Sequence, residues 1–136
     1  MTNSSQIVRE FCDLMVKRDT GVMRPFFADD AVYQNTGMPA SVGIEAIIEN
    51  LGGQFATFPD SYEYKTINIA ADGDVVLTER LDLIRTPGGS VEGVPVMGTF
   101  VLRNGKIVRW TDYWDTSLPM KMMTGEDVSA LIPSSY

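Results

Sequence analysis

The sequence predicts an α+β fold, with N-terminal helices packed on one face of a curved β-sheet. Three observations carry this. Apolar residues recur at helical spacing through most of the first 60 residues. Beyond residue 60 the hydrophobic period switches to two. Asn104-Gly105, set between two alternating runs, is a strong two-residue hairpin signal.

The elements follow in order. Ser4 or Ser5 can cap a first helix carrying Ile7, Val8, Phe11, Leu14 and Met15 on an i, i+3/i+4 stripe. Asp19 or Thr20 can cap a shorter helix through Val22, Met23, Phe26 and Phe27, with Pro25 tolerated in its first turn or as a kink. Ala31 to Asn35 reads as a short extended piece. Ile44 to Phe55 reads as a third helix, with Ile44, Ile47, Ile48, Leu51 and Phe55 on one face. Strands are predicted from Tyr62 to Ala70, ending at Asp72-Gly73, and from Val75 to Arg85, ending at Pro87-Gly88-Gly89. Two more run from Val91 to Arg103 and from Lys106 to Asp115. Residues 116–136 hold Met120, Met122 and Met123, an apolar cover, and then a short helix around Glu126 to Leu131. No linker or repeat divides the chain, so residues 1–136 read as one domain.

Composition narrows the chemistry. The chain has 136 residues and a net charge of −7, from 11 Lys+Arg against 18 Asp+Glu. It has no histidine and one cysteine. That excludes His-containing nucleophilic triads, histidine bases and His-ligated metal sites. It also excludes an intrachain disulfide and Cys-rich metal clusters. Any proton chemistry must come from carboxylates, tyrosine, lysine or the lone thiol. The acidic balance argues against nucleic acid and anionic membranes as partners. The N-terminus lacks the pattern of a signal peptide, and no apolar run reaches the length of a membrane span, so the expected compartment is the cytoplasm. Cys12 reads as a small buried hydrophobe, Asp115 as a strand-end or cap residue, and Gly88-Gly89 as a turn without the helix a phosphate loop needs.

The informative residues are charges on faces that should be apolar. Residues two apart on a strand share a face. Asp112 shares one with Val108, Trp110 and Trp114. Arg80 and Asp82 share one with Val76, Thr78 and Ile84. The opposite face, with Val75, Leu77, Leu81 and Leu83, is also mostly apolar, which predicts a strand covered on both sides. Tyr33 and Asn35 are two apart and can aim at one point. Plainer readings stand beside these: a solvated Arg80/Asp82 face, a structural Asp112, and turn chemistry for Tyr33 and Asn35. On a concave face, two carboxylates with an arginine between them form a proton-managing unit. Tyr33 and Asn35 could hold a water, and a semi-buried aspartate beside tryptophans is the best available base. The chemistry this points to is acid–base addition of water to an electrophile whose leaving oxygen needs a proton.

The sequence resembles the limonene-1,2-epoxide hydrolases, within the broad group of nuclear-transport-factor-2-like cones. The resemblance rests on Val32-Tyr33-Gln34-Asn35, Leu77-Thr78-Glu79-Arg80-Leu81-Asp82, Gly98-Thr99-Phe100, the Asn104-Gly105-Lys106-Ile107 hairpin and Trp110-Thr111-Asp112-Tyr113-Trp114-Asp115. It runs from about Ile7 to Asp115. It implies a mixed, mainly antiparallel sheet forming a cone with an internal apolar pocket. It implies Asp112 as the general base that activates water, Tyr33 and Asn35 as positioners of that water, Asp82 as the general acid, and Arg80 as the bridge between the carboxylates. It implies ring opening in one step, with no metal, cofactor or covalent intermediate, by a homodimer.

Ile84 shares the face of Asp82 and Trp114 that of Asp112, which puts both against the substrate. By position in the resemblance, Met15, Phe58, Val94 and Val96 join them. The segment after Asp115 departs from the family pattern. The leading expectation is hydrolysis of a small apolar or cyclic epoxide to a vicinal diol. The alternatives are an isomerase or cyclase of the ketosteroid-isomerase or polyketide-cyclase type, and a non-catalytic binder of small ligands on the same fold.

Overall fold

The computed structural model describes residues 3–133. The first helices are α1 (Ser4–Asp13) and α2 (Thr20–Met23), followed by β1 (Phe27–Asn35), β2 (Ser41–Val42) and α3 (Ile44–Thr57). A meander of β3 (Tyr62–Asp72), β4 (Val75–Arg85), β5 (Val91–Arg103) and β6 (Lys106–Tyr113) leads into α4 (Ser117–Met123). Short 3₁₀ turns occupy Leu14–Lys17, Arg24–Phe26 and Ser129–Leu131. The six strands form one mixed sheet in the order β2-β1-β6-β5-β4-β3. All neighbours are antiparallel except β1 and β6, which run parallel. No helix among the described residues is long and apolar enough to cross a membrane.

Local signals explain most boundaries. Asn3 caps α1, in place of Ser4 or Ser5. Its Oδ1 accepts the Gln6 N–H at 2.9 Å while Gln6 Oε1 accepts the Asn3 N–H at 3.0 Å. This reciprocal pair satisfies two otherwise orphaned donors. Asp19 caps α2 by accepting the Gly21 N–H at 2.8 Å. The second helix is shorter than its apolar spacing suggests. Pro25 sits in the 3₁₀ turn, and Phe27 opens β1 through pairing with Ile107, a partner 80 positions away in the chain. Asn104 and Gly105 take φ of 53° and 76°, the left-handed pair that a two-residue hairpin requires.

The C-terminal part differs from the sequence expectation. β6 stops at Tyr113; the Asp115 carboxylate then accepts the Ser117 N–H at 2.9 Å, and Thr116 takes the N-cap position of α4. Gly125, at φ 82°, lies just past its end. The helix therefore lies at Ser117–Met123, and the stretch expected as helical, Glu126 to Leu131, holds only a 3₁₀ turn. Residues 134–136 lie outside the described residues.

The helices cover one face of the sheet. Phe11 of α1 meets Phe26, Phe27, Phe100 and Trp110 edge-on. Trp110 stacks on Tyr33 at 3.9 Å and on Phe100 at 5.5 Å, so one aromatic row crosses β1, β6 and β5. Offset or edge-on rings of this kind add about 0.5–1.5 kcal/mol per pair beyond area burial. Val8, Met15, Ile47 and Leu51 complete the fully buried layer.

Two expectations about faces need correction. This side of β4 is open at Val75 and Leu77, with Leu77 48 % and the neighbouring Met97 49 % exposed, while Leu81 and Leu83 further along are half-buried. The reason is topological: α1, α2 and α3 all precede residue 58 and lie on the inner side. On β6 the alternation slips, with a register break between Val101 and Leu102 of the partner strand. Ile107, not Val108, is the fully buried neighbour of Trp110. A bulge adds one residue and moves the side chains before it to the opposite face.

Candidate active site

The sheet register assembles the polar groups. Asn35, Asp112, Gly98 and Thr78 lie side by side across β1, β6, β5 and β4. The row beneath is the aromatic one, Tyr33, Trp110, Phe100 and Val76. Arg80 is paired with Val96, and Asp82 lies between Tyr64 and Val94. These positions share one inward face, which holds the charged set beside Tyr33, Asn35, Tyr64 and Thr78 and the apolar Val76, Val94, Val96, Phe100 and Trp110.

Arg80 is fully buried and uses all five of its N–H donors. Nε and Nη2 donate to the two oxygens of Asp82 at 3.0 Å each. Nη1 and Nη2 donate to the two oxygens of Asp112 at 3.2 and 2.9 Å. The fifth N–H, on Nη1, goes to Thr78 Oγ1 at 3.2 Å. The guanidinium also lies over the Tyr64 ring, 4.3 Å from its centroid. Bidentate pairing of this kind fixes geometry as well as charge. Asp112 gains one further donor, the Trp110 indole N–H at 2.8 Å.

Gly98 makes the bridge sterically feasible. To reach Asp112 from β4, Arg80 must cross the surface of β5 at this residue. A Cβ at Gly98 would overlap Arg80 Nη1 and lie 2.6 Å from Asp112 Oδ1. Only a residue without a side chain lets the guanidinium lie flat there.

The two carboxylates differ in access. The side chain of Asp82 is 17 % exposed and that of Asp112 is 3 %. Burial pushes the Asp82 carboxyl up to about 6, against the lowering pull of Arg80 and with help from the Asp112 charge. Burial alone would lower Arg80, but Asp112 and Asp82 hold it well above the ordinary guanidinium range. Burial, then the Asp112 charge, keep the Tyr33 hydroxyl protonated far above neutral pH. Cys12 is buried and raised to about 12, so it contributes no thiolate.

A cavity of about 310 Å³ opens above these groups. Tyr33, Asn35, Asp82 and Asp112 lie in its wall, with Phe58, Ile84, Val94, Val96 and Trp114, all singled out from sequence. Met15 does not join them: it is fully buried in the core beneath, and it is not a lining residue. Asn35 Nδ2 donates to the Tyr33 hydroxyl at 3.1 Å, and the Trp114 indole donates to Asn35 Oδ1 at 2.8 Å. Trp114 therefore anchors Asn35 as well as lining the cavity.

Sequence reasoning missed Met38, Asn50, Gln54, Tyr62, Tyr64 and Pro119, which also line the cavity. Two signals were available. Asn50 and Gln54 are i, i+4 neighbours on α3, beside its apolar stripe. Tyr62 and Tyr64 are two apart on β3, on the face shared with the charges. Gln54 Nε2 donates to the Tyr33 hydroxyl at 3.1 Å and to Asn50 Oδ1 at 2.8 Å, while the Tyr62 hydroxyl donates to Gln54 Oε1.

Comparison with known proteins identifies the family and the fold. The family model for the limonene-1,2-epoxide hydrolase catalytic domain matches residues 2–124. Epoxide hydrolase EphG of Mycobacterium tuberculosis is 28 % identical over 130 residues, covering 93 % of this chain and 83 % of that protein. The solved structure of an M. tuberculosis LEH-like epoxide hydrolase superposes with a TM-score of 0.74 at 28 % identity, over 96 % of both chains. A SnoaL-like protein from Jannaschia sp. CCS1 shares the fold, with a TM-score of 0.76 at 20 % identity, over 90 % of this chain and 92 % of that one. The fold is thus the NTF2-like cone, and the chain belongs to the limonene-1,2-epoxide hydrolase family of epoxide hydrolases.

Proposed function

We propose that the protein hydrolyses small apolar or cyclic epoxides, of the limonene-1,2-epoxide kind, to vicinal diols by one-step acid–base catalysis. The observation that carries this reading is the clamp of Asp82 and Asp112 by the five donors of Arg80 at the wall of an apolar cavity. One guanidinium balances one carboxylate. With both carboxylates ionised, the buried unit would carry a net negative charge, which is costly in a low-dielectric site. One shared proton makes it neutral. Asp82 is the group raised to about 6, and it is the more accessible of the two. The proton therefore sits on Asp82, facing substrate.

The step then balances. Asp112 takes a proton from water as the water oxygen bonds to a ring carbon. The carbon–oxygen bond of the epoxide breaks, and the leaving oxygen takes the proton of Asp82. Asp82 ends as a carboxylate and Asp112 as an acid, and proton exchange with solvent restores the pair. Arg80 stays cationic throughout and stabilises whichever carboxylate is charged. Tyr33 and Asn35 place the water. The apolar wall of Phe58, Ile84, Val94, Val96 and Trp114 suits a hydrocarbon skeleton and offers it little beyond burial, about 25 cal/mol per Å². The protein acts as a homodimer, whose contact surface is the apolar outer side of the sheet around Leu77 and Met97.

The test is an activity screen on a panel of epoxides, reading diol by chromatography, with Asp82→Asn and Asp112→Asn as controls. Diol formation by the wild type alone supports the reading. An isomerised product that carries no added water would favour the isomerase alternative.

A further inference from the structure

A hydroxyl can both donate and accept, so which it does at the water site decides how the water is oriented. Here the structure constrains the direction. The Trp114 indole N–H can only donate, and it donates to Asn35 Oδ1. Asn35 Nδ2 therefore faces Tyr33 and donates to its hydroxyl oxygen at 3.1 Å. Gln54 Nε2 donates to the same oxygen at 3.1 Å. Gln54 has neighbours on two elements: its Oε1 accepts from the Tyr62 hydroxyl, which also lies 3.3 Å from the Tyr64 hydroxyl, and its Nε2 also donates to Asn50 Oδ1 at 2.8 Å. Asn50 continues the chain by donating to Ser41 Oγ at 3.0 Å. Tyr33 is 2 % exposed, and with two donors on its oxygen its own O–H is left to donate.

We propose that Gln54 is a positioning residue that holds the Tyr33 hydroxyl as a hydrogen-bond donor to the nucleophilic water. The inference rests on the epoxide-hydrolase reading above. A water that accepts from Tyr33 can donate one proton to Asp112 and the other to the remaining lone pair of Asn35 Oδ1. One of its own lone pairs is then free for the ring carbon. If Gln54 accepted from Tyr33 instead, the Tyr33 O–H would turn away. The water would lose its donor and with it the orientation that aims a lone pair at the substrate.

The test is to reverse the polarity of this one group at constant shape. Gln54→Glu can accept from Tyr33 as well as Tyr62, with Asn50 turning its amide to donate, so the hydrogen bonds are kept, those with Tyr33 and Asn50 reverse, and the one from Tyr62 does not. Diol formation is measured on limonene-1,2-epoxide, or on a faster epoxide of the panel, for wild type, Q54E, Q54M, Y33F and the double variants Y33F/Q54E and Y33F/Q54M. The expected result is a fall in kcat of at least about tenfold in Q54E, with KM changed less than about threefold, and a smaller fall in Q54M. In the Y33F background both substitutions cost little more, because the group they act through is gone. The inference is overturned if Q54E keeps wild-type kcat, if Q54M is the worse variant, or if the losses are as large without the Tyr33 hydroxyl. Should Q54E not fold by circular dichroism, the Q54M cycle reads the same coupling without added charge. A wild type that turns over no epoxide overturns the proposed function, and this inference with it. Activity in the wild type with an uncoupled cycle overturns the inference alone.

Discussion

Asp82 and Asp112 share one arginine but hold different places in the cavity wall, and the roles proposed for them rest on that difference. Converting either to asparagine keeps the size and some of the hydrogen bonds. It removes proton donation or proton acceptance. Asp82→Asn and Asp112→Asn are each expected to lower kcat by at least about a hundredfold, with a folded circular-dichroism spectrum. Retention of more than about a tenth of the wild-type rate in either contradicts the assignment. The pH dependence follows from the same pair. In the proposed reaction Asp82 must keep its proton, and its carboxyl is raised to about 6. A group that must be protonated makes kcat/KM fall as pH rises through that value. The free-enzyme profile is thus expected to decline on the alkaline side, with a midpoint near pH 6, and a flat profile across the neutral range would count against the shared proton. The sign for stability runs the same way. A carboxyl raised on folding favours the native state fully below its unfolded value, and the contribution is lost as pH climbs through about 6. Arg80 was legible from sequence as a charge on an inward face, and so were the aspartates. The amide pair Asn50 and Gln54 was not, because on a helix two polar residues beside an apolar stripe look like its solvent edge. The approach of β1, bringing Tyr33, and of β3, bringing Tyr62, turns that edge into a cavity wall.

Among the elements, β5 does the least visible work. It supplies no charged group to the site, yet Arg80 reaches Asp112 only across Gly98. Gly98→Ala would push the guanidinium off Asp112 Oδ1. We expect a loss of stability of about 1–3 kcal/mol, in the range of overpacked interiors, together with at least a tenfold loss of kcat. Thermal melts and steady-state kinetics check both, and a fully active, equally stable variant would show that the crossing at β5 is not tight. The strands themselves were readable from their alternation, and β4 and β5 begin and end where that alternation does. Three things were not. The opening of β1 at Phe27 depends on a parallel partner distant in the chain. The bulge on β6, which exchanges Val108 for Ile107 at the core, is a register event with no local signature. The third is helix α4, which begins beyond Asp115, whose carboxylate accepts the Ser117 N–H as a strand-end residue, while Thr116 holds the N-cap position.

At the scale of the molecule, the fold gathers polar groups from β1, α3, β3, β4 and β6 into one cavity. Helices cover the inner face of the sheet, and Phe58, Ile84, Val94, Val96 and Trp114 supply the apolar part of the cavity they leave. The outer face is a different surface. Val75, Leu77, Met97 and Tyr113 are all at least one-third exposed there, a set of large apolar side chains on one side of one sheet. The proposed homodimer would cover them. Light scattering behind size exclusion is expected to give twice the chain mass for the wild type and the chain mass for a Leu77→Lys/Met97→Glu variant. A monomeric wild type would remove that part of the proposal without touching the chemistry. The chemistry itself is tested most directly by a single turnover in ¹⁸O-labelled water with enzyme in excess, read by mass spectrometry of diol and protein. Direct attack by water predicts one solvent oxygen in the diol from the first turnover, and none in the peptides that carry Asp82 and Asp112. An unlabelled first-turnover diol with ¹⁸O left in either aspartate would mean a covalent ester, and would contradict the account at its centre.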